Sequence, residues 1–173
     1  MSYSTAAVSG RDYVGGLVGC HDGTIATSYS SGSVAGTERV GGLVGYNLGS
    51  IDTSYSTGSV IGTESVGGLV GWNHGTIATS YSIGSVTGTS NVGGLVGIAL
   101  SSHITSSFWD IQTSSQTESA GGTGKTAVEM QTAGTFLDAG WDFVGETANG
   151  TEDIWKIAEG KDYPHLWWET THD

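Results

Sequence analysis

The chain has 173 residues, enough to bury a continuous core, and carries 30 glycines but 1 proline, with 36% hydrophobic and 13% charged residues. That is too apolar and too weakly charged for a disordered acidic segment, and collagen needs glycine at every third position together with abundant proline. A net charge of -12 repels phosphate backbones and anionic lipid surfaces, which argues against a nucleic-acid partner.

The opening residues, Met1 to Gly10, hold neither a basic stretch nor an apolar run, and no apolar run anywhere approaches the roughly 20 residues of a membrane span, so membrane insertion is not expected. Ser2-Tyr3-Ser4 matches the middle of the later repeats. The chain therefore reads as a fragment that starts inside a repeat. Cys20 is alone, so no intrachain disulfide can form.

Self-comparison gives the dominant signal. Val14-Gly-Gly-Leu-Val-Gly19 returns at Val40, Val66 and Val92, always 26 residues on, and Thr27-Ser-Tyr-Ser30 returns at Thr53 and Thr79. A period between 20 and 50 residues marks an array in which each unit buries its apolar face only against its neighbours. Within a unit, three extended segments are expected at Val40 to Gly45, Ile51 to Ser56 and Ser59 to Ile61, separated by glycine-bearing turns. The density of Gly, Ser, Thr and Val and the lack of a 3.6 period exclude helix.

One coil per unit sets each segment beside its own copy at about 4.8 Å, so identical residues stack. The fold class expected is all-β, a parallel β-solenoid of 26-residue coils, with Leu17/Leu43/Leu69/Leu95, Ile25/Ile51/Ile77 and Val34/Val60/Val86 as inward columns. Tyr3/Tyr29/Tyr55/Tyr81 share strand parity with the isoleucines and are also expected inward. The glycines then serve tight corners, and no phosphate-binding role is needed for them.

After Gly97 the repeat degrades: Ile98 to Ile104 is one residue longer than Trp72 to Ile77, with the extra residue near Ser101, and Phe108 falls where tyrosine stood. This divides the chain into repeats at 1–105 and an irregular C-terminal cap at 106–173 that continues or closes the solenoid. Up to Thr105 there are only Asp12, Asp22, Glu38, Asp52 and Glu64 against Arg11 and Arg39, so most of the negative charge lies in the tail. A short helix is expected around Thr126 to Thr132, and strands at Ile154 to Ile157 and Tyr163 to Trp168.

Val-Gly-Gly-Leu-Val-Gly followed by Asn-x-Gly and Ser-Tyr-Ser-x-Gly-Ser-Val resembles the GLUG repeat of large bacterial surface proteins, among them filamentous-haemagglutinin-like adhesins and immunoglobulin-A-cleaving peptidases. Ser107-Phe-Trp-Asp110, Gly121 to Thr126 and Gly140-Trp-Asp-Phe143 look like segments found after such repeats. The resemblance implies an extracellular or cell-surface location and a role in adhesion or display. It brings no catalytic residues, and no His-Glu-x-x-His zinc motif is present.

Several motifs invite chemistry. Gly122-Thr-Gly-Lys-Thr126 is not a P-loop, because the glycine needed five residues before the Gly-Lys pair is Ser119 and no apolar strand precedes it. His21, His74 and His103 near the corners, with His165 and His172 in the tail, read as solvent-exposed residues rather than zinc ligands. Asp12, Glu38 and Glu64 occupy one corner of three successive coils, followed by Ser90. Carboxylates about 5 Å apart repel unless a cation intervenes, so weak calcium binding stands against neutralisation by Arg11 and Arg39. Trp141, Trp155, Trp167 and Trp168 form either a sugar-stacking platform or buried packing.

The expected function is a non-catalytic surface scaffold or adhesion module whose partner is a glycan or a host or matrix protein. It requires no cofactor, with calcium as the exception just named. The alternatives are a carbohydrate-active β-helix enzyme, a lyase or hydrolase, and a carbohydrate-binding module. Such an enzyme needs paired carboxylates in a groove, and the repeats supply only the corner acids. The N-terminal solenoid edge is a further expected contact, for self-association.

Overall fold

The computed structural model describes residues 1–100 and 102–169, so the expectations placed on Ser101 and His172 lie outside the described residues. It forms two compact units, Met1–Lys125 and a second beginning at Thr126.

The first unit is the parallel β-solenoid that the period predicts. Ser2–Ser4, Thr24–Ser30, Ser50–Ser56 and the strands that follow them form a long sheet. Three shorter sheets run through Val8–Ser9, Val34–Ala35, Val60–Ile61 and Val86–Thr87; through Asp12–Gly15, Glu38–Gly41, Glu64–Gly67 and Ser90–Gly93; and through Val18–His21, Val44–Asn47, Val70–Asn73 and Val96–Ala99. Each strand pairs with its own copy, as in Tyr29 with Tyr55 and Val66 with Val40 and Val92.

A coil therefore holds four strands, not three. The segment expected at Val40 to Gly45 is broken at Gly42-Leu43, where the amides of Leu43 and Val44 both donate to the Leu69 carbonyl, at 2.9 and 3.1 Å. This corner explains the paired glycines. A Cβ on Gly41 would sit 2.0 Å from the Val44 carbonyl oxygen, and one on Gly42 2.1 Å from that of Gly68.

Two apolar columns fill the interior. Leu43, Leu69 and Leu95 pack with Val44, Val70 and Val96 and with Ile25, Ile51 and Ile77, while Leu17 at the first coil is only partly buried. Val14, Val40 and Val66 pack with Val34, Val60 and Val86.

The tyrosine column is buried at Tyr55 and Tyr81, 2% and 0% exposed, but it is turned away from the leucine and isoleucine cluster that it was expected to join. Thr27, Thr53 and Thr79 have left-handed backbones, with φ of 51°, 50° and 48°, which resets the alternation between Ile25 and Tyr29. Ser30, Ser56 and Ser82 then face inward: the Ser56 hydroxyl lies 2.1 Å from where a Gly42 Cβ would be, and Ser82 donates to the Gly94 carbonyl at 2.8 Å. Tyrosine, one residue earlier in an extended strand, faces the opposite way. Its rings stack at 5.3, 5.0 and 4.9 Å from Tyr3 to Tyr81, apart from both apolar clusters.

In the last coil the register moves to Ile77 with Ile104 and Tyr81 with Phe108. Trp109 takes the inward serine position and joins the leucine cluster, its Nε1 donating to the Gln116 carbonyl at 3.1 Å. The following segment covers the lower edge. Val86 N donates to Ser114 O, Gly94 N to Glu118 O and Ala120 N to Val96 O, all near 3.0 Å. Thr123–Lys125 adds a last strand beside Phe108–Asp110, so the glycine-lysine stretch is sheet and not a phosphate loop.

The second unit begins with α1, Ala127–Met130. Thr126 caps it, and Glu129 reaches back to the Thr126 amide, a reciprocal capping box written in Thr-Ala-Val-Glu. Helix α2, Ala133–Leu137, follows. The two tail strands are shorter than expected, Trp155–Lys156 and His165–Leu166, and pair antiparallel with each other. Phe136, Trp141, Phe143 and Trp155 form the aromatic interior of this unit.

His165 has a raised pKa, chiefly through its hydrogen bond to Glu169, with Asp162 adding to it and partial burial opposing. Its Nε2 lies 3.1 Å from Asp162 Oδ2 and its Nδ1 3.6 Å from Glu169 Oε2. A folded-state value above the unfolded 6.5 means that the contribution is fully present below about pH 6.5 and lost as pH rises through the raised value. The melting temperature of this unit, followed by tryptophan fluorescence, is expected to fall over that window, and His165→Gln to flatten the fall. An equal slope in the variant would remove His165 as the cause.

Candidate functional site

The acid corner is a true column. Asp12 pairs with Glu38, Glu38 with Glu64 and Glu64 with Ser90 in register. Glu38 is engaged by Arg39, whose Nη1 lies 3.4 Å from Glu38 Oε2. Among the described residues, no group of three or more His, Cys, Asp or Glu side chains is gathered to hold a metal ion.

The next position holds what the sequence reading missed. Tyr13, Arg39, Ser65 and Asn91 each follow a column residue and all have left-handed backbones, with φ between 51° and 57°. None is glycine, so the strain carries no signature in the residue type. The Arg39 guanidinium lies 4.8 Å from the centre of the Tyr13 ring and 4.9 Å from that of Trp72, held between two aromatic faces. Tyr46 extends the group: its ring is 5.7 Å from Tyr13, 6.3 Å edge-on from Trp72 and 5.8 Å from His74. His74 in turn lies parallel to Trp72 at 6.3 Å.

This patch draws on unlike residues from three coils. Tyr46 and Trp72 share a column with Cys20 and Ile98, so the outer face changes chemistry from coil to coil while the inner columns repeat. Tyr13 and His74 are exposed, and Tyr46, Arg39 and Trp72 are half-buried. A preorganised guanidinium, aromatic faces and neighbouring carboxylates can together offer hydrogen-bond donors, acceptors and stacking surface to a polar ligand.

The other candidates are dispersed or buried. His21 pairs with Asn47, and His103 with Thr76, so these two lie in different columns. The buried Asn47 and Asn73 form a structural ladder, Asn47 Nδ2 donating to Asn73 Oδ1 at 2.7 Å. It is bounded by His21 above and Ala99 below. The four-tryptophan platform is corrected: Trp141 and Trp155 are 0% exposed and stack on each other at 4.5 Å, so neither can present a face to a sugar. Trp167 is 52% exposed and Trp168 half-buried.

Comparison with known proteins agrees with the repeat. Residues 36–61 match the family model of the GLUG motif. Over 65 residues the chain is 38% identical to a Gly-rich protein of Evansella cellulosilytica, named as a membrane protein; the match takes in 38% of this chain and 6% of that protein. The chain thus spans a small fraction of that relative's length. No solved structure matches it. Among the described residues no helix is long and apolar enough to cross a membrane.

Proposed function

We propose, from a GLUG motif carried on a parallel β-solenoid, that this chain is a non-catalytic extracellular repeat module. In this reading the stacked coils act as a stiff spacer, and the outer columns act as a ligand-contact surface in adhesion. One observation carries it. Residues that repeat faithfully, the Leu, Ile and Val columns, face inward, while the outer column Cys20, Tyr46, Trp72 and Ile98 changes at every coil.

Packing thus fixes the interior and leaves the outer face free to be specified by a partner, as in other solenoids. The contact we assign is the Tyr13, Arg39, Tyr46, Trp72 and His74 patch, and its partner is a glycan or a host or matrix protein. Aromatic and arginine side chains are the residues that most often dominate such contacts.

The test is a glycan and matrix-protein array probed with the whole chain and with the Arg39→Ala/Trp72→Ala double variant. Binding that falls at least about tenfold in the variant, without loss of the fold, is the expected result. Binding that the variant leaves unchanged would move the contact elsewhere. Cleavage of an acidic polysaccharide by the unmodified chain would replace this reading with the enzymatic one.

A further inference from the structure

Arg39 is a cation held in place with most of its donors open. Its guanidinium lies 4.8 Å from the Tyr13 ring centre and 4.9 Å from that of Trp72, so a ligand meets its edge and not its faces. A guanidinium carries its N–H donors in a fixed fork. Among the described residues one of them is engaged, Nη1 with Glu38 Oε2 at 3.4 Å. Both side chains reach water, with 25% of Arg39 and 46% of Glu38 exposed. A donor edge and an acceptor therefore stand side by side.

The surroundings narrow what fits. The strands that carry Arg39 and Tyr46, Glu38–Gly41 and Val44–Asn47, are each paired on both sides, so a peptide finds no open sheet edge there to extend. Recognition falls to side chains. Carboxylates outnumber arginines at this corner, Asp12, Glu38 and Glu64 against Arg11 and Arg39, and the whole chain carries -12. Such a field repels a polyanion before it reaches Arg39. Tyr13, Arg39 and Trp72 come from three successive coils, which at about 4.8 Å a coil makes the patch roughly 10 Å long, the length of a disaccharide. The half-buried Tyr46 and exposed His74, 5.8 Å apart, offer ring surface to the C–H face of a pyranose.

We propose that this patch binds a neutral oligosaccharide through adjacent hydroxyls, one donating to Glu38 and the other accepting from Arg39. This ligand is named within the reading of the patch as an adhesion contact and rests on it. Each sugar hydroxyl is both donor and acceptor, so neighbouring hydroxyls satisfy a carboxylate and a guanidinium that stand together. The anionic group of a uronate or sulfated sugar could engage the guanidinium alone, and would bring its charge against Glu38, Asp12 and Glu64.

Isothermal titration of the whole chain with mannotriose, cellotriose and galactotriose, each beside its uronic acid counterpart, tests this. At least one neutral trisaccharide is expected to bind, at least about tenfold tighter than its uronate. Added salt should narrow that gap by screening the repulsion. Arg39→Lys keeps the charge without the fork, and Glu38→Gln removes the charge at constant size; each should weaken the neutral sugar at least about tenfold. Asp22→Asn, at an exposed acid outside the patch, should leave binding unchanged. The preference for neutral over uronate needs no variant, so it remains a test if one fails to fold. A uronate bound as tightly as its neutral counterpart, or no neutral trisaccharide bound at about 10 mM, would overturn the proposal. Array binding that Arg39→Ala/Trp72→Ala abolishes would still uphold the adhesion contact in either case. Sugar binding indifferent to Arg39→Lys and Glu38→Gln would overturn the site itself.

Discussion

Replacing Leu69 with alanine is expected to cost about 2 to 5 kcal/mol, toward the upper end of what core leucines lose on truncation. Leu69 is 0% exposed and stands between Leu43 and Leu95 in the larger apolar cluster. How much such a change costs depends on how far the surroundings can collapse. Here the backbone is held on both sides: the Leu69 amide donates to Leu95 O at 2.8 Å, and its carbonyl accepts from Leu43 N and Val44 N. Collapse would break coil-to-coil bonds, so the cavity persists. Leu17→Ala, at the half-buried end of the column, should cost clearly less. Urea denaturation reads both, and a loss below about 0.5 kcal/mol for Leu69→Ala would mean that the column does not bear the core.

Gly41→Ala, although it adds one methyl group, is expected to destabilise the solenoid by about 3 kcal/mol or more, at or beyond the top of the usual overpacking range. The added carbon would meet the Val44 carbonyl oxygen at 2.0 Å, the Gly71 amide nitrogen at 2.7 Å and the Leu69 carbonyl oxygen at 2.9 Å. All three are backbone atoms of the corner, and two of them belong to the next coil. None can swing aside as a flexible side chain would. Gly23→Ala is the control, since its added carbon would find only His21 Cε1, at 3.7 Å. If the two variants melt alike, the corner is looser than its geometry implies.

Architecture was legible in the residues because a solenoid stacks like on like. A 26-residue period, with Leu, Ile and Val returning in step, admits few arrangements, and the leucine, isoleucine and valine columns stand where that period puts them. The cap of α1 was equally local, since Thr126 and Glu129 need only each other. Tertiary structure decided what alternation alone could not. Left-handed backbones at Thr27 and Arg39 and their copies interrupt the two-residue period at residues that do not advertise it, so the tyrosines took the face opposite the inward serines, apart from the leucine and isoleucine cluster, and Arg39 was delivered between Tyr13 and Trp72. Trp141 and Trp155 could equally have formed a platform or a core, because a large aromatic ring serves either purpose. Only the packing of Phe136 and Phe143 around them made them core. The period is a property of the chain, whereas which face a side chain meets is a property of the corner that precedes it.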